Sequence, residues 1–169
     1  SQHQGGDPLD TRVRFEALPF RGSFGYFLNA FALRRALSRL QPDILHIHYA
    51  TGYGTLGALS GFRPRILSVW GSDVYEFPDR SPLHRLWLKR TLSSMDLICS
   101  TSHSMARRAA EFESRKIEVI PFGVDLEKFK PDLQPVPGDS HQDEIIIGTV
   151  KGLAPKYGID TLLKAFSIL

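Results

Sequence analysis

The chain has 169 residues, 42 % of them apolar and 23 % charged, which describes a folded globular protein and excludes a disordered one. Its net charge of +3, with no long basic run interleaved with aromatics, does not argue for a nucleic-acid binder but suits anionic ligands or an anionic membrane surface. A single cysteine, Cys99, excludes an internal disulfide, and no run reaches the ~18 apolar residues of a spanning helix.

The first ten residues are polar and Gly-rich, and the chain opens on Ser1 without Met, which reads as the interior of a longer protein. Partial alternation predicts a strand over 12–18, then a Gly-containing turn over 20–24. Tyr26, Ala30, Leu33, Leu37 and Leu40 recur at helical spacing, with Arg34, Arg35 and Arg39 on the other side. Gln41-Pro42-Asp43 stops that helix. A strand follows over 44–48, and a small-residue helix over 52–61 suits close packing on a sheet. Further strands are predicted over 66–70, 96–100 and 116–120, separated by helices over 82–95 and 102–112. Cys99, inside one of these strands, reads as a small buried apolar residue rather than a nucleophile.

This alternation implies an α/β fold: a Rossmann-like parallel sheet with helices on both faces. Residues 1–130 form the expected first domain. Residues 131–143, with Pro131, Pro135, Pro137 and Gly138, have the composition of a linker. Residues 144–169 then read as the opening strand and helix of a second domain. An apolar run ends at Gly148, and Lys151 and Lys156 follow in a loop before a helix opens at Ile159. Two ammonium groups at a helix N-terminus suit a diphosphate, although loop lysines are also commonly just solvated. The Gly-Lys-Ser/Thr phosphate loop is missing, so ATP hydrolysis of that type is unsupported.

Other motifs carry two readings each. Gly71-Ser72-Asp73 follows the C-terminal end of a strand, where ligands gather in open α/β sheets. There Asp73 could accept a sugar hydroxyl or orient a neighbour; the same residues also make an ordinary turn and N-cap. His46 and His48 share one face of their strand. No third ligand stands at metal-binding spacing, so no metal is expected. His48 could face the crevice or be a satisfied core histidine. The segment 120–125 reads as a turn, with Gly123 at positive φ and Asp125 capping a short helix through Phe129. The helix over 82–95, with Arg85, Lys89 and Arg90 beside Leu83 and Leu86, reads as core-packed with a solvated basic side, or as a membrane-surface helix.

In combination, the chain resembles the GT-B glycosyltransferases whose N-terminal domain is glycosyltransferase 4-like. The resemblance rests on 42–48, 69–74, 100–105, 119–125 with Phe129 and Pro131, and 147–151 through 156–160 with Ala165 and Phe166. It covers roughly residues 11 to 169. It implies the N-terminal half of a GT-B fold, an acceptor-side domain followed by the start of a donor domain. It also implies a nucleotide-sugar donor, a glycan or lipid-linked acceptor, no cofactor or metal, and usually retention of configuration. Lys151 and Lys156 fall on donor-diphosphate positions; Asp73 is expected to be catalytic, and His48, Gly71 and Ser72 to line the acceptor side. Bacterial surface-polysaccharide assembly is implied, in the cytoplasm or at the inner membrane face. A nucleotide-sugar epimerase and a non-catalytic scaffold or membrane-docking subunit are the alternatives. The chain departs from the family in Trp70, where many relatives have His, in Phe122, where they have Asn, and in the extra Tyr157. The Gly-rich loop and the two-glutamate donor segment are expected upstream of Ser1 and downstream of Leu169, so this stretch alone is expected to be inactive.

Overall fold

The computed structural model describes residues 12–130 and 147–168. The chain divides into two compact units, Ser1–Gly123 and Val124–Leu169. The predicted linker, 131–143, lies outside the described residues.

In the first unit the order is α1 (Gly25–Leu28), α2 (Ala30–Leu40), β1 (Leu45–His48), α3 (Gly52–Ser60), β2 (Arg65–Ser68), α4 (Ser72–Tyr75), α5 (Pro82–Ser93), β3 (Leu97–Ser100), α6 (His103–Ala110) and β4 (Glu118–Val119). The strands form one parallel sheet in the order β1-β2-β3-β4, with Leu45 opposite Arg65, Ile66 opposite Leu97 and Cys99 opposite Glu118. This is the expected α/β, Rossmann-like architecture, a parallel sheet flanked by helices. The core gathers Ile47, Leu67, Val69 and Ile98 from the sheet side with Leu88, Leu92, Met95 and Phe112 from the helical side. Burial of these side chains supplies the main drive to fold.

Local chemistry explains the element ends. Ser81 caps α5, its side chain accepting from the His84 amide, and Pro82 occupies the first helical position, where its missing N–H costs nothing. Ser102 caps α6 in the same way, through the Met105 amide. The small residues of α3 work as the sequence predicts: a Cβ on Gly57 would stand 2.2 Å from the Ile47 side chain, and one on Gly54 2.8 Å from Thr91. Only glycine lets this helix lie so close to β1 and α5. The predicted helix from Tyr26 is interrupted at Asn29, a buried residue whose side chain donates to the Phe20 carbonyl (2.8 Å) and accepts from the Phe20 amide (3.1 Å).

Three expectations are corrected. Residues 12–18 form no strand. Leu18 instead contributes to an apolar groove beside β1 with Leu33, Leu45 and Leu56, while residues 12–17 stay exposed. Partial alternation without a paired neighbour does not make a strand. Residues 147–150 of the second unit likewise make no ladder, and 145–146 lie outside the described residues. Gly123 is not among the positive-φ glycines, so the turn there is made without left-handed backbone. Asp125 does cap the turn that follows, accepting from the Glu127 and Lys128 amides at 3.0 and 3.1 Å.

The second unit contributes a 3-10 turn (Pro155–Tyr157) and α7 (Ile159–Phe166), which starts after Gly158 at φ +65°.

Candidate functional site

The C-terminal ends of β1 and β2 release two loops, and one carboxylate ties them together. Asp73, wholly buried at the start of α4, accepts hydrogen bonds from the backbone amides of Ala50 (2.8 Å), Trp70 (3.1 Å) and Gly71 (2.8 Å). The first amide belongs to the β1–α3 loop and the other two to the β2–α4 turn. Gly71 makes that turn at φ +127°, a conformation closed to side-chain-bearing residues. With both oxygens engaged, the Asp73 carboxylate points into the protein.

Tyr49 follows β1 at φ +84°, rare for an aromatic residue. Such strain persists only where surrounding structure imposes it, and it gathers at functional sites. The Tyr49 hydroxyl lies 2.7 Å from the Ser72 hydroxyl. On the exposed side, the Trp70 indole N–H donates to His48 Nδ1 at 3.3 Å. The Trp70 ring also lies 5.2 Å from Phe122 between centroids, and the His46 and His48 rings are 4.2 Å apart. Trp70 and Phe122 remain 47 % and 66 % exposed, so the sheet ends in an open aromatic rim. Partial desolvation, then the neighbouring His46, lower the His48 pKa below its ordinary 6.5. At neutral pH His48 is therefore uncharged. Since Nδ1 accepts, its proton sits on Nε2, where it can be donated outward.

The structure thus brings His48, at the end of β1, near Gly71, Ser72 and Asp73, at the start of α4. It shows Asp73 as the tie between the two loops. Sequence reasoning missed Tyr49 and the rim role of Trp70 and Phe122. The positive φ of Tyr49 leaves no trace in composition, but two large aromatics at the ends of buried strands are a readable signal.

In the second unit, Lys151 is exposed and its ammonium lies 5.7 Å from the centre of the Tyr157 ring. The residue inserted before Gly158 therefore supplies a cation–π partner. Lys156 belongs to the turn Pro155–Tyr157, and the expectation for its side chain lies outside the described residues. Among the described residues, no three His, Cys, Asp or Glu side chains are grouped as metal ligands would be. None of the described helices is long and apolar enough to cross a membrane.

In a parallel α/β sheet, ligands gather at the carboxyl ends of the strands, where the loops after β1 and β2 lie. Residues 2–102 match the family described as Glycosyl transferase 4-like, a majority of the chain, and the chain belongs to that family. Over 94 residues it is 30 % identical to the putative teichuronic acid biosynthesis glycosyltransferase TuaC of Bacillus subtilis (strain 168). That alignment covers 54 % of this chain and 24 % of the relative, so the chain spans about a quarter of that relative's length.

Proposed function

We propose that the protein transfers a sugar from a nucleotide-diphosphate donor to a glycan or lipid-linked acceptor, in cell-surface polysaccharide synthesis. The family match over residues 2–102 carries this reading, and the name of the Bacillus subtilis relative supports the polysaccharide setting. The acceptor meets the first unit at the ends of β1 and β2, where His48 Nε2 and the Ser72 hydroxyl provide polar contacts and Gly71 allows close approach. Asp73 serves this surface as a positioning residue, holding both loops through backbone amides.

Lys151 and Lys156 grip the donor diphosphate. As the sugar–phosphate bond breaks, charge builds on the leaving group, and fixed ammonium groups stabilise it without rearrangement. With that charge supplied by side chains, the reaction needs neither metal nor cofactor, and it proceeds with retention. The outward side of α5, where Leu83 and Leu86 stay exposed beside Lys89 and Arg90, supports contact with an anionic membrane surface on the cytoplasmic face.

Release of nucleoside diphosphate from UDP-glucose, UDP-N-acetylglucosamine and GDP-mannose by the whole protein tests the reading. Lys151→Ala should lower kcat by about 100-fold. Unchanged turnover would remove the role given to Lys151. Tight donor binding without any release would turn the reading toward a non-catalytic subunit.

A further inference from the structure

Tyr49 and Ser72 also border a cavity of about 230 Å³, enough for one pyranose unit. Its walls are largely aromatic. Phe77 and Trp87 meet almost edge to face, 6.0 Å apart at 82°, and Tyr26 adds a hydroxyl-bearing ring. The Trp87 indole N–H already donates to the Thr55 hydroxyl at 2.8 Å, so Trp87 offers the cavity only carbon. Between them the Tyr49 and Ser72 hydroxyls commit one proton to their mutual hydrogen bond, which leaves the other to donate. Flat carbon walls with a few fixed hydroxyls are what a sugar ring needs: its C–H faces pack on aromatics and its hydroxyls find partners.

Arg80 makes this cavity more specific. It lines the cavity with its guanidinium 5.9 Å from the centre of the Phe77 ring. The neighbouring Asp79 is taken by Arg108 (2.7 Å) and Arg85 (3.5 Å), and among the described residues no carboxylate pairs with Arg80. A guanidinium held over an aromatic ring and not paired with a carboxylate is a ready fork for an oxyanion.

We infer that this cavity binds an acidic sugar of the acceptor, its ring against Trp87 and Phe77, its hydroxyls on Tyr49 and Ser72, and its carboxylate or phosphate on Arg80. The assignment rests on the glycosyl-transfer reading and narrows its acceptor to an anionic glycan.

The chain has two tryptophans, so Trp70→Phe leaves Trp87 as the sole indole reporter. In that background, fluorescence titrations would use methyl glucuronide, glucose 6-phosphate, neutral methyl glucoside and inorganic phosphate. One or both acidic sugars should bind about tenfold more tightly than the glucoside, the scale of a charge-assisted contact. Arg80→Gln should erase that difference and Arg80→Lys restore part of it; the better acidic probe identifies the natural oxyanion. Glucoside binding equal to both acidic sugars, inorganic phosphate matching glucose 6-phosphate, an unaltered Arg80→Gln, or no binding at all would each overturn the assignment. Nucleoside diphosphate release by the whole protein judges glycosyl transfer separately, since an uncharged acceptor would sustain it.

Discussion

The two ends of the sheet use charge in opposite ways. At the amino end, Arg65 is 5 % exposed and donates to the carbonyls of Ala58 (2.9 Å) and Ser94 (2.5 Å), while Asp96 accepts the Arg65 amide (2.7 Å) and pairs with Arg63. Nearby, Arg115 donates to the carbonyls of Met95 and Leu92 and pairs with Glu113 at 3.0 Å. Charge at this end closes the fold: strands, helix ends and loops are tied by groups that have few partners left to offer. At the carboxyl end Asp73 is spent in that way, and so are Asp79 and Arg108, which pair at 2.7 Å. His48, Trp70, Phe122 and Arg80 face outward. The contrast teaches where selection for stability stops and capacity for binding begins: the same residue types serve the fold where they are satisfied and serve ligands where they are not.

That contrast can be broken by mutation. The largest effect is expected at Asp73, the most buried of the closed groups at the open end. Asp73→Ala leaves one buried and two partly buried amides without their acceptor and should cost about 3 kcal/mol in urea unfolding. Asp73→Asn, which retains one acceptor oxygen, should recover part of it. A stability equal to wild type would mean that the loops are held by something else.

Next comes Glu113 at the closed end. Hydrogen bonding from Arg115 takes its carboxyl from the ordinary 4.5 to about 2, against an opposing push from burial. The folded pKa lies below the unfolded one, so the stabilisation is whole above pH 4.5 and fades as pH falls through 2. Discounted for the half-exposed Arg115, it is worth about 2 kcal/mol. Glu113→Gln should cost that much at pH 7 and make the decline of stability between pH 4.5 and 2 shallower. An acid limb identical in both proteins would show the pair contributes nothing.

The smallest stability effect belongs to the rim. Trp70→Ala should shift unfolding by no more than about 0.5 kcal/mol, the range of surface substitutions. Turnover with a glycan acceptor should nevertheless fall, about tenfold for a lost ring contact. A large loss of stability would place Trp70 with the closed end and blur the distinction.

Much of this was readable beforehand, for identifiable reasons. The four strands announce themselves as short segments built around apolar residues, and the helix over Gly52–Ser60 as a cluster of small residues, because both are fixed by packing that any sequence must satisfy. Ser81 and Ser102 mark their helix starts chemically. What escaped depends on tertiary placement. Alternation over residues 12–18 could not reveal that no neighbour pairs with it. Asp73 reads about equally as a functional carboxylate or as part of an ordinary turn and N-cap, and the three amides it accepts from are invisible in the sequence. Arg80 looks like any surface arginine until its neighbour Asp79 is seen taken by Arg85 and Arg108.

Cys99 holds one more consequence. It is 4 % exposed, in a strand paired on both sides, and burial, then Glu118, raise its thiol pKa above 9.0. Alkylating reagents attack the thiolate, which is scarce and shielded here. As the lone sulfhydryl, it stays chemically silent while the sheet is intact and becomes reactive when β3 comes away from its neighbours, so the molecule carries its own native gauge of sheet opening.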